Sequence, residues 1–188
     1  MKTIRSAALL TSLAASLLSG TAFAQKTTDM GAGGGGSAHV KTEWAVANAN
    51  ISIAYGRPAL KGRSETKMMP VFAETDSVWR TGADVATIIT TDKTLKFGTI
   101  TLAPGSYTIN TKPGETSWSF VAGRLSGPKQ WGVPYQPALE IGRAPMKLGK
   151  TAAPVELLTI TIDPAGAGGT LNVEWGSKKV SIPFTVVP

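Results

Sequence analysis

From residue 40 onward, apolar and polar side chains alternate in short runs separated by Gly and Pro. Residues 40–46 and 50–55 are the first two runs, on either side of Ala47-Asn48-Ala49. In the second, Ile51, Ile53 and Tyr55 share one face of an extended strand, while Ser52 and Ala54 share the other. The same reasoning predicts strands over 85–91, 95–102, 107–111, 118–121, 138–147, 155–163, 170–175 and 180–187. Ala103-Pro104-Gly105-Ser106 and Pro113-Gly114 have turn chemistry. Pro145 requires a sheet edge or a gap in the hydrogen-bond ladder, and Pro183 an edge. Leu102-x-Pro104-Gly105-x-Tyr107 has the pattern of a sandwich corner, in which a Tyr hydroxyl bonds back to nearby backbone. No stretch after the N-terminus sustains a 3.6-residue period. The expected fold class is therefore all-β, a single antiparallel β-sandwich of roughly eight to ten strands. Residues 58–77 and 126–136 lack alternation, as long loops do.

The N-terminus follows different rules. Lys2 and Arg5 precede an apolar run over 7–18, and Ala22-Phe23-Ala24 closes the segment. This is the plan of a cleavable signal peptide, 1–24; the alternative, a permanent anchor, is disfavoured because the apolar run is shorter than the about 20 residues that span a bilayer. The expected location is periplasmic or secreted. No Cys follows the cleavage site, so a lipoprotein anchor is excluded. Residues 25–38, rich in Gly, read as a flexible leader to a domain over 39–188. A phosphate-binding loop is excluded there, because no Lys-Ser/Thr follows the glycines and no strand is predicted before them.

Composition narrows the chemistry. With no Cys in the chain, the domain is held by burial and backbone hydrogen bonds, and thiol catalysis and Cys-ligated zinc are excluded. The single histidine, His39, falls at the end of the leader, which argues against a Ser-His-Asp triad and against a multi-imidazole metal site. Glu65, Glu74, Asp76, Asp84 and Asp92 are scattered and read as surface charge. No cofactor or metal is expected. The chain carries 19 Lys+Arg against 12 Asp+Glu, without a dense basic run. A nucleic-acid partner is not expected, nor is a membrane-integral segment after signal cleavage. An anionic small molecule or a glycan remains compatible.

One group of residues stands apart: Tyr55-x-Arg57-Pro58, Lys61-Gly62-Arg63 and Trp79-Arg80-Thr81-Gly82-Ala83, followed by Asp84. Arg presents a planar fork of donors suited to carboxylate, phosphate or sulfate. Trp and Tyr can stack on a guanidinium or against a sugar. The candidate ligand-binding residues are thus Tyr55, Arg57, Arg63, Trp79, Arg80 and Asp84. The same residue types also clamp loops, with Arg bonded to carbonyls and aromatics packed over them. Sequence leaves both readings open.

These segments, with Ala86-Thr87, Leu102-x-x-Gly105-x-Tyr107, Trp131-Gly132 with Tyr135, and Glu140-x-x-Arg143, resemble a family of secreted bacterial β proteins catalogued only as a domain of unknown function. The resemblance runs from about Lys41 to the C-terminus and implies an exported β-sandwich. The family pattern usually has Asn-Glu after Trp-Arg-x-Gly-Ala, where this chain has Asp84-Val85. That departure weakens an enzymatic reading. The expected function is a non-catalytic binding module for an anionic or saccharide ligand. The alternatives are a hydrolase or lyase acting on an anionic substrate, with Arg80 steadying negative charge and Tyr55 or Asp84 moving a proton, and a structural protein whose Arg-aromatic segments serve the fold.

Overall fold

The computed structural model describes residues 25–65, 78–114, 116–127 and 135–188. The signal segment, residues 66–77 and Trp131 lie outside the described residues. Among the described residues there are ten strands: β1 (Lys26–Ala32), β2 (Ala38–Val46), β3 (Ala49–Arg57), β4 (Thr87–Thr91), β5 (Thr94–Phe97), β6 (Ile100–Leu102), β7 (Gly105–Lys112), β8 (Trp118–Gly123), β9 (Glu140–Ala165) and β10 (Gly168–Val187). A short 3₁₀ segment, Pro137–Leu139, leads into β9. No helix among the described residues is long and apolar enough to cross a membrane.

The strands form one antiparallel sheet in the order β1-β2-β3-β4-β7-β8-β9-β10-β5-β6. It folds over on itself because β9 serves both layers. Up to Met146 it pairs with β8, and from Lys147 onward with β10. Apolar side chains that alternate along each strand meet between the layers. Phe97 of β5 stacks on Phe120 of β8 with ring centroids 4.7 Å apart, and meets Phe184 of β10 at 5.2 Å. The long edge is closed by residues 58–60. Leu158 N–H donates to the Pro58 carbonyl and Leu60 N–H to the Glu156 carbonyl, each at 3.0 Å, so the chain leaving β3 runs against β9.

The prolines sit where their missing N–H costs nothing. Pro145 lies in the part of β9 paired only with β8. Pro183 falls between the end of the β9 ladder at Ser181 and the start of the β5 ladder at Thr185, a gap rather than an edge. Tyr107 Oη donates to the Ala103 carbonyl at 3.0 Å, which is the corner anticipated from its spacing. The run 95–102 divides into the hairpin β5-β6, and the four C-terminal runs merge into the long pair β9 and β10.

The leader requires correction. Residues Lys26–Ala32 are not a loose tether but strand β1, paired with β2 from Lys26↔Glu43 to Ala32↔Ala38. Every β1 residue is exposed, so no buried face marks it in the sequence; backbone pairing holds it, with Thr27 Oγ1 also 3.3 Å from Thr42 Oγ1 of β2. A strand therefore does precede the glycines. They turn directly into β2 rather than into a helix, so the exclusion of a phosphate-binding loop stands on that ground.

Candidate functional site

Of the six candidate residues, four close the fold. Tyr55 is 3% exposed, and its hydroxyl accepts the Ile160 N–H of β9 at 2.9 Å. Burial raises its pKa. Arg57 reaches β9 as well, with Nε donating to the Leu158 carbonyl at 2.9 Å and Nη2 to Thr159 Oγ1 at 2.8 Å. Arg63 folds back on its own loop, donating to the Leu60 and Ala59 carbonyls. Trp79 is 6% exposed and stacks on Trp175 at 5.9 Å. Its backbone pairs in both directions with Thr111 at the end of β7. Neither Tyr55 nor Trp79 turns a ring face toward solvent, so the expected stacking platform is not formed.

Arg80 behaves differently. Among the described residues, its guanidinium meets only the Asp84 carbonyl, at a long 3.5 Å. It lines a cleft on the outer face of β7 and β8. The cleft exists because Ile109, Phe120 and Ala122 turn into the core, which sends Thr108, Asn110 and Gly123 to the other face. That face would ordinarily be wet. Here Thr108 and Asn110 are 9% and 7% exposed, because residues 80–86 and the segment around Leu139 cover them. Gly123 is required at this point: a Cβ would stand 2.6 Å from Thr108 Oγ1. The enclosed space is small, about 30 Å³. Arg124, exposed just after β8, also lines the cleft, and its backbone N–H donates to the Leu139 carbonyl at 2.8 Å.

The opposite wall is a polar network. Arg143 donates to both Glu140 carboxylate oxygens, at 2.8 and 2.9 Å, and to Tyr135 Oη at 3.0 Å. Tyr135 Oη donates to Glu140, and the Arg143 guanidinium lies over the Tyr135 ring. Arg143 is the main reason that the Glu140 carboxyl is held below its ordinary range, while burial, with the bond to Glu140, raises the Tyr135 phenol. Glu140 thus faces the cleft with its charge already balanced.

Asp84 is the anchor of the loop that carries Arg80. Its Oδ2 lies 3.0 Å from His39 Nε2, and its Oδ1 accepts the Gly35 N–H at 3.1 Å. Both side chains of the pair are nearly buried, 13% exposed for His39 and 10% for Asp84. The turn after β1 must be glycine-rich to come this close, since a Cβ on Gly35 would stand 2.2 Å from Asp84 Oδ1. Asp84 itself has φ +64° and Thr81 has φ +54°; a β-branched residue rarely adopts that conformation. Such backbone persists only where its surroundings dictate it, and it concentrates at functional sites.

A family model described as a protein of unknown function (DUF2911) matches residues 37–184. The chain belongs to this family. No curated protein and no solved structure matches it. Within the DUF2911 domain, the recognised segments divide into two jobs. Tyr55, Arg57, Arg63 and Trp79 tie the two layers and their loops together, whereas Arg80, Tyr135 and Glu140 line one cleft and Arg143 braces the last two. Sequence reasoning missed Arg124, Asn110 and His39 as members of the site. Asn110 carried a usable signal, a polar amide inside a strand otherwise rich in β-branched residues. His39 was set aside because the segment before it read as a tether, and its partnership with Asp84 depends on β1 being a strand.

Proposed function

We propose that this DUF2911 chain is an exported, non-catalytic binding module for a small anionic ligand, gripped between Arg80 and Arg124. The observation that carries the reading is a contrast among three arginines. Arg57 and Arg63 each spend two hydrogen bonds on closing the fold, while Arg80 lines a cleft with a polar floor and makes one long bond, to the Asp84 carbonyl. A guanidinium held there, with its donors unspent on carboxylates of the described residues, suits a carboxylate or phosphate. The signal-like segment at 1–24 supports export, and N-terminal sequencing of protein recovered outside the cytoplasm is expected to begin at Gln25. The binding reading is tested by titrating the mature protein with acetate and with inorganic phosphate while following the Asn110 side-chain amide by NMR. Saturable shifts that weaken with salt support it. Shifts of equal size in Arg80→Ala/Arg124→Ala would remove it.

One observation favours a second reading, a hydrolase or lyase acting on an anionic substrate. The His39–Asp84 pair has the geometry by which a carboxylate orients an imidazole for proton transfer. Arg80, on the same loop as Asp84, would stabilise developing negative charge. Tyr55 takes no part, because its hydroxyl is buried against Ile160. Turnover that survives His39→Gln would exclude this reading.

A further inference from the structure

We infer that the group taken up by the cleft is a carboxylate carrying a neighbouring hydroxyl, as in a small hydroxy acid or the acid end of a sugar unit. The inference rests on the anion-binding reading above and specifies its ligand. Two arginines, Arg80 and Arg124, line the cleft, and a guanidinium fork matches the two coplanar oxygens of a carboxylate. The floor asks for something else. The Asn110 amide is 7% exposed, and its one partner among the described residues is Thr108 Oγ1 at a long 3.4 Å. Asn110 lines the cleft, so an amide oxygen and an N–H are available on its floor. An amide on the cleft floor can both accept from and donate to a ligand or a water. A hydroxyl is the smallest group that both donates to the amide oxygen and accepts from its nitrogen.

The far wall sets the charge. Glu140 has three hydrogen bonds, two from Arg143 and one from Tyr135, and a carboxylate has about four lone-pair sites. The remaining site faces a ligand hydroxyl better than a ligand oxyanion. A doubly charged phosphate is repelled by Glu140 more strongly than a singly charged carboxylate. The small enclosed volume, about 30 Å³, admits a head group of a few atoms and leaves the rest of a larger molecule in solvent.

The test compares four probes on the mature protein by NMR titration at low salt: acetate, glycolate, inorganic phosphate and methyl β-D-glucuronide. Glycolate differs from acetate by one hydroxyl, and the glucuronide presents the same acid and hydroxyl chemistry on a sugar. Expected is at least tenfold tighter binding of glycolate than of acetate, a difference abolished in Asn110→Ala and not in Thr90→Ala, a distant control on the exposed face. Preference for the glucuronide over glycolate places the source in a saccharide; the reverse places it in a free acid; both support the inference. Acetate, phosphate and glycolate binding equally, all lost in Arg80→Ala, would overturn the hydroxyl requirement while leaving anion binding intact. No binding of any probe would overturn both. If Asn110→Ala fails to fold, Asn110→Asp replaces it and is expected to repel every acidic probe.

Discussion

His39 Nε2 lies 3.0 Å from Asp84 Oδ2, so the only histidine of the chain fastens the loop bearing Arg80 to strand β2. The Gly35 N–H completes the attachment from the turn that follows β1. Asp84→Asn keeps the shape and tolerates the positive φ, but removes the charge that both donors point at. Urea unfolding is expected to show a loss of about 1–3 kcal/mol. Anion affinity is expected to fall with it, because the Asp84 carbonyl is also what Arg80 contacts.

Tyr55 provides the opposite case. Its hydroxyl satisfies the Ile160 N–H in the core, and Tyr55→Phe leaves that donor buried and unpaired. The expected cost is about 1–3 kcal/mol of unfolding free energy, with anion affinity unchanged. Affinity that drops while stability holds would reassign Tyr55 to the site.

Glu65 links stability to pH. Its carboxylate accepts the Ser177 N–H and hydroxyl beside the irregular turn of β10, and the Ser177 hydroxyl is the main cause of its lowered pKa. The folded value lies below the unfolded one, about 4.3. The stabilisation is therefore fully present above that value and is lost as pH falls through the folded pKa. Wild type is expected to be more stable than Glu65→Gln at pH 7, with the gap closing below about pH 4. A gap that widened on acidification would contradict the assignment.

Arg143 is expected to act on binding without touching the ligand. Arg143→Gln leaves the Glu140 charge unbalanced on the cleft wall, which should weaken acetate binding about tenfold at low salt and less at high salt. Adding Glu140→Gln should restore it. Failure of the double variant to recover would mean that Arg143 holds shape rather than charge.

Most of the strand pattern could be read directly, because alternation in β2, β3, β4 and the last residues of β10 reflects burial on one face. β1 could not, since all its residues are exposed and only pairing with β2 keeps it extended. The break read between residues 147 and 155 does not end β9, which continues through it opposite the irregular stretch of β10 around Gly176. The site was half visible. The arginines and aromatics were identifiable by type, but which of them spend their donors on the fold depends on partners far away, as with Arg57 and Leu158 of β9. The His39–Asp84 pair is likewise a product of tertiary structure, joining residues whose separation carries no local signal.

The central claim is that Arg80 serves the cleft and not the fold. The most direct measurement is the unfolding free energy of the mature domain against its Arg80→Ala variant, paired with an acetate titration of both. The expected result is a stability change under about 1 kcal/mol, as for substitutions away from buried networks, with acetate binding lost. A loss of about 3 kcal/mol or more, the cost of breaking a buried pair, would show a structural clamp and contradict the account.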